Sequence, residues 1–163
     1  FNARADRVAK SFSFGAAWRG AQRCIVPATA IYEPDWRSGK AVRTRFTHVD
    51  GKLLNIAGLW SNWKDENGVW HGSHTMLTLS AKDHELFKHY HRPEKEKRMV
   101  GLLLESECEA WLDAPVEDAM NFLKGYPADL LVATPAPRPP KPKAPAKKKA
   151  AAQEPPSTQG LLL

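Results

Sequence analysis

The chain has 163 residues, 42% of them hydrophobic and including six Trp, six Phe and three Tyr, enough for one domain with a real core plus some extra. Its net charge of +6 is uneven: residues 135–163 carry six basic side chains against Glu154 alone, which leaves about +1 for the rest, so charge by itself does not argue that the body binds nucleic acid. Cys24 and Cys108 lie too far apart for a paired ligand motif, which excludes a disulfide framework and a CxxC zinc site; no apolar run reaches the ~18 residues of a membrane span, and a reducing, cytoplasmic setting is the expectation.

In chain order, Arg4 to Lys10 begins a helix. Arg23-Cys-Ile-Val-Pro-Ala reads as a short strand, and Thr29-Ala-Ile-Tyr-Glu resumes after the proline. Residues 40–49 alternate in type as a half-buried strand does. Residues 53–60 and 74–79 are two further strands, with a turn at Lys64-Asp-Glu-Asn-Gly between them. Ser80 offers a helix cap ahead of Leu86-Phe87, and residues 105–112 and 116–124 carry Leu, Trp and Phe at helical spacing. The pattern predicts an α+β domain, strand-dominated, with a barrel-like antiparallel or mixed sheet and short peripheral helices. Residues 1–138 form that domain; residues 139–163, rich in Pro, Ala and Lys, form a disordered tail that serves either as a phosphate-binding arm or as a solubilising segment.

Three short segments bear chemistry. Asn2 and Arg4 are two apart, so an extended backbone points both to one side; Asn donates and accepts, and Arg offers a fork that fits phosphate. Glu33 follows an apolar run, where a carboxylate is costly to bury unless it is paired or used, although the turn at Pro34-Asp35 equally suits an exposed strand end. His89-Tyr-His-Arg-Pro-Glu-Lys-Glu-Lys-Arg sets two imidazoles and several cations before an apolar strand; such runs serve as proton shuttles and phosphate contacts, or as solvated loops.

Taken together and in order, Asn2-Ala-Arg-Ala-Asp, Arg23-Cys-Ile-Val-Pro, Tyr32-Glu33, Ile56-Ala-Gly-Leu-Trp60, Leu77-Thr-Leu-Ser-Ala81 and His91…Arg98-Met-Val-Gly-Leu-Leu resemble the SRAP (SOS-response-associated peptidase) family across about residues 1–138. The resemblance implies a protein that acts on abasic sites in single-stranded DNA. In the family, a cysteine at the mature N-terminus, exposed by autocatalytic removal of the initiator Met, condenses through its amine and thiol with the opened sugar to a thiazolidine crosslink.

Carried onto this chain, Asn2 is expected to hydrogen-bond the adduct, Glu33 to exchange protons beside the nucleophile, and a histidine to assist ring opening or release. Alignment on Arg98-Met99 selects His91; counting back from Pro93 selects His89 as the alternative. Arg4 is expected to hold a flanking phosphate, with Arg98, Arg92 and Trp60 as further DNA contacts. No cofactor or metal is implied, and the expected partner of this monomeric, bacterial, nucleoid-associated protein is single-stranded DNA. The chain departs from the pattern at Glu33-Pro-Asp-Trp36, Val100 and Asp6, and Phe1 stands about a third of the way into the family's domain, so the expectation is a crosslinking protein whose longer form carries the cysteine. The alternative is a chemically inactive single-stranded-DNA-binding module; a thiol or metal hydrolase using Cys24 or Cys108 with His71 and His74 fits no ligand spacing.

Overall fold

The computed structural model describes residues 2–139; the expected disordered tail lies almost entirely outside them. Nine strands dominate among those residues. β1 (Asn2–Arg4) leads into a 3₁₀ turn and α1 (Gly15–Arg19), followed by β2 (Arg23–Ala28), β3 (Ile31–Asp35), β4 (Val42–His48), β5 (Leu54–Lys64) and β6 (Trp70–Ser80). After a 3₁₀ turn at Phe87–His89 come β7 (Arg98–Val100), β8 (Leu102–Leu103), α2 (Cys108–Asp113) and β9 (Leu131–Pro135). The strand-dominated α+β architecture expected from the alternation is present.

The strands form two sheets. The larger is mixed: β1 pairs parallel with β6, which pairs antiparallel with β5, which pairs antiparallel with β2; β7 extends β6 and β8 extends β5. Gly101 between β7 and β8 lets the chain change partners, donating its N–H to Leu77 O while its carbonyl accepts from Ala57 N. The smaller sheet is antiparallel, in the order β3-β4-β9.

Alternation along β5 shows how the large sheet is used. Leu54 and Ile56 join Phe46, Phe87, Tyr90 and Met99 in a cluster shared with the small sheet, while Ala57 and Leu59 join Val8, Trp18, Leu77 and Trp111 under the helices. Apolar groups therefore cover both faces of the large sheet at its centre. Gly58 is required between them: a Cβ there would lie 2.8 Å from Thr75 O and 2.9 Å from Cys24 Sγ.

Three elements differ from the sequence expectation. Ser80 to Phe87 is turn rather than capped helix, because the buried His84 side chain does the hydrogen bonding. Its Nδ1 accepts from Leu86 N (3.1 Å) and Phe87 N (3.2 Å), and its Nε2 donates to Tyr126 O (2.7 Å). Residues 116–124 hold only a 3₁₀ turn at Ala119–Phe122, and the Arg4–Lys10 helix is a 3₁₀ segment over Ala5–Lys10. β9 and α1 are additional.

Candidate active site at the edge of β3

Glu33 sits in the middle of β3, opposite Thr44 of β4, on the face that Ile31 turns toward Phe46. That placement explains its chemistry. Its side chain is 19% exposed, and burial pushes the carboxyl up to about 7. The surface strand-end alternative does not describe it.

The loop after Tyr90 supplies the partner. Tyr90 is 2% exposed and packs edge-on to Phe46 at 4.8 Å, which anchors the chain beside β3. Its backbone bridges to Asp35, and His91 N donates to Pro34 O (2.9 Å). His91 itself adopts φ 64°, the left-handed region that a non-glycine residue occupies at a cost. Lys97 helps to hold the turn by donating from Nζ to the carbonyls of His91 (3.0 Å) and Arg92 (2.7 Å).

In this conformation His91 Nε2 lies 3.2 Å from Glu33 Oε2 and 2.8 Å from Arg98 O. A carbonyl only accepts, so Nε2 carries the hydrogen and Nδ1 keeps its lone pair. The imidazole is thereby fixed in one tautomer, with its N–H on Arg98 O, its Nε2 beside the Glu33 carboxyl and its lone pair on Nδ1. His89, the alternative, is exposed on the preceding turn, and its field acts on Asp35 instead. Of the two histidines, His91 is the one in contact with Glu33.

A chain of charged contacts runs from this pair to β1. Arg98 donates to Thr78 O (2.6 Å) and to Glu96 Oε1 (2.8 Å). Glu96 also receives Arg4 through both terminal nitrogens, at 2.6 and 3.2 Å, and Arg4 forks onto Asp6 as well. One carboxylate thus bridges two guanidiniums that belong to residues 4 and 98. The arginine hydrogen bonds hold Glu96 below its ordinary carboxyl value, and Arg4 holds Asp6 down at about 2.

The remaining expected residues lie on other elements. Asn2 is exposed on edge strand β1, opposite Met76. Arg92 stacks on Trp36 at 4.7 Å, just beyond β3. Trp60 is 41% exposed on β5, opposite His74. Glu96, Lys97 and Trp36 were not singled out by sequence; in a run such as Glu-Lys-Glu-Lys, nothing marks which charge turns inward. Burial pushes the thiols of Cys24 and Cys108 up, and His71 is engaged by Asp65 at 2.9 Å and stacked on Trp63 at 4.7 Å. No group of three or more potential metal ligands occurs among the described residues. No helix among them is long and apolar enough to cross a membrane.

The fold and site together define a strand-dominated α+β domain carrying a carboxyl–imidazole pair at a sheet edge, with arginines alongside. The chain belongs to the SOS response associated peptidase (SRAP) family, whose model matches residues 1–138. It is similar to a crystallised protein of Bordetella bronchiseptica, with 52% sequence identity and a TM-score of 0.80, over 83% of this chain and 64% of that one. A protein from Bacteroides thetaiotaomicron (24% identity, TM-score 0.72, 81% of this chain and 56% of that one) shares the fold. So does a phage-related protein from Bordetella bronchiseptica (18% identity, TM-score 0.60, 85% and 64%). The chain therefore spans less than two thirds of the length of each of these structures. The comparison with curated proteins gave no match.

Proposed function

We infer that the domain recognises abasic sites in single-stranded DNA and that Glu33 and His91 move the protons of sugar-ring opening and aldehyde capture. The observation that carries this reading is the contact between the Glu33 carboxyl, raised to about 7, and an imidazole whose tautomer is fixed by Arg98 O. A carboxyl near neutrality both gives and takes a proton at working pH, which ring opening followed by carbinolamine dehydration requires. His91 Nδ1 accepts a proton while Nε2–H stays on its carbonyl. Arg4 and Arg98 are the cations available to phosphates flanking the lesion, once Glu96 is displaced.

In the family's crosslinking reaction an N-terminal Cys supplies amine and thiol together. Cys24 and Cys108 both lie within the chain, in peptide linkage on either side. Neither therefore offers an α-amine beside its thiol for thiazolidine closure. Both are read as structural thiols, and the domain as the part that recognises the abasic strand and moves its protons.

Incubation with an abasic oligonucleotide followed by denaturing electrophoresis is the test. Borohydride is expected to trap an imine between the opened sugar and an amine of the chain, and Glu33→Gln lowers the trapping rate by at least about tenfold. Trapping that is indifferent to Glu33→Gln rejects the acid–base role.

A further inference from the structure

The small sheet has a second face. Glu33 points inward, so its neighbours Tyr32 and Pro34 point outward, and the register brings Arg45 opposite Tyr32 and Arg43 opposite Pro34. Beyond β9 the chain continues past Arg43, with Ala136 N donating to Arg43 O, which carries Pro137 and Arg138 to the same place. Tyr32, Pro34, Arg43, Pro137 and Arg138 line an open cleft of about 600 Å³. Glu33 reaches this cleft as part of the strand, while its carboxyl is on the His91 side.

Two properties of this face are specific. Among the described residues, Arg43, Arg45 and Arg138 have no carboxylate partner; Arg4, Arg7, Arg37, Arg92 and Arg98 do, and Arg19 and Arg23, which also lack one, donate to backbone carbonyls on other elements. In addition, the Arg43 guanidinium lies 3.4 Å from the centroid of the Tyr32 ring, and Tyr32 is 43% exposed. A guanidinium held against a tyrosine has its orientation set in advance; Arg43 Nη1 also donates to Ala136 O (3.4 Å), which leaves its other N–H groups for a ligand. That combination fits unpaired bases with their phosphates. A duplex hides its base faces, and an acidic peptide has no ring to stack.

We propose that the outer face of β3-β4-β9 is a second contact for single-stranded nucleic acid, with Arg43, Arg45 and Arg138 on phosphates and the Tyr32–Arg43 stack under a base. It deepens the reading above, on which it rests for the class of ligand. A strand that meets Glu33 on one side of β3 has only the strand's edge to pass before it reaches Tyr32. The cleft would then hold undamaged nucleotides next to the lesion, and its contribution would not depend on an aldehyde.

The test is equilibrium binding of an undamaged oligothymidylate to the full chain, to Arg43→Gln/Arg45→Gln, to Tyr32→Leu, and to the charge-matched control Lys52→Gln/Lys82→Gln, each checked for a native thermal transition. The arginine pair is expected to weaken binding about tenfold at low salt and to reduce the slope of log affinity against log salt by about 1.4, or ~0.7 per phosphate contact. Tyr32→Leu is expected to weaken binding several-fold with the salt slope unchanged. An equal loss in the control pair, no loss in the arginine pair, or competition by polyglutamate as strong as by oligothymidylate would overturn the proposal. Borohydride trapping by the same variants separates the two readings, since trapping that still depends on Glu33 leaves the active site standing even if this face binds nothing.

Discussion

Glu33 is an acid that the fold holds at its own expense. Burial raises it from 4.5 to about 7, so the folded chain keeps a proton that the unfolded chain releases earlier. Below about 4.5 both states are protonated and this residue costs nothing. As pH climbs to about 7 the folded state binds more protons than the unfolded one, and stability falls with each step. Above about 7 the cost is complete, on the order of 3 kcal/mol. Glu33→Gln is therefore expected to match the parent in acid and to exceed it in stability above neutrality, by up to about 3 kcal/mol. Urea titrations across that range measure this difference directly, and a Gln variant that is less stable at high pH would show that the ionised carboxylate is instead well satisfied.

The Asn2-Ala-Arg motif, Glu33 and the histidine cluster were legible as residues; their linkage was not. Sequence placed Glu33 after an apolar run, but only the pairing with β4 shows that it faces Phe46's side of the sheet. It equally left His89 and His91 unresolved, because the deciding feature is a backbone turn at φ 64° held by Pro34 O and Lys97.

At the level of elements, the loop between Tyr90 and β7 ties β1 to β7 through Glu96. Glu96 occupies the space between Arg4 and Arg98 with hydrogen bonds to both, much as a phosphate would. Because all three groups are well exposed or partly so, the carboxylate would, in the function proposed above, compete with an incoming strand at modest strength. Glu96→Gln is expected to raise affinity for undamaged single-stranded DNA by about three- to tenfold, with a steeper salt dependence. Fluorescence anisotropy over a salt series checks this. Weaker binding would mean that Glu96 aligns the arginines rather than blocking them.

The elements that escaped sequence reading share a cause. β9 ends in Pro135 and abuts a Pro/Lys-rich stretch, so composition placed it near the boundary of the tail; as an edge strand it tolerates the proline. Pro27 and Pro34 likewise sit in β2 and β3, each at a sheet edge. The helix expected from Ser80 lost to His84, whose two ring nitrogens satisfy backbone groups that a helix would otherwise pair. β4 was visible because burial of one face alternates Thr44, Phe46 and His48 with exposed Arg45, and β5 and β6 because their centres are apolar on both faces.

For the whole molecule, the two apolar clusters do different work. The one containing Phe46, Phe87 and Tyr90 fixes the small sheet and the His91 turn; the one containing Trp111 fixes the helices to the far side. Phe46→Leu and Trp111→Phe should each cost about 1–2 kcal/mol of stability. Only Phe46→Leu is expected to lower the borohydride-trapping rate as well, because it loosens the seat of Tyr90 and with it the distance from His91 to Glu33. Equal losses of trapping in both variants would show that the site depends on global stability alone.

The pairing of β4 with β9 also bears on how the chain reaches its native state. Thr44 meets Pro135, and His48 meets Leu131, across more than eighty intervening residues, while β1 waits for β6 over seventy residues later. Hairpin β5–β6 closes locally and has the most to gain early. Both other closures must pay a large loop entropy before any hydrogen bond repays it. A molecule wired in this way belongs with the slow folders, in the range of milliseconds to seconds. During synthesis β4 is left with one edge unpaired until β9 has emerged, a window in which another chain can add to that edge.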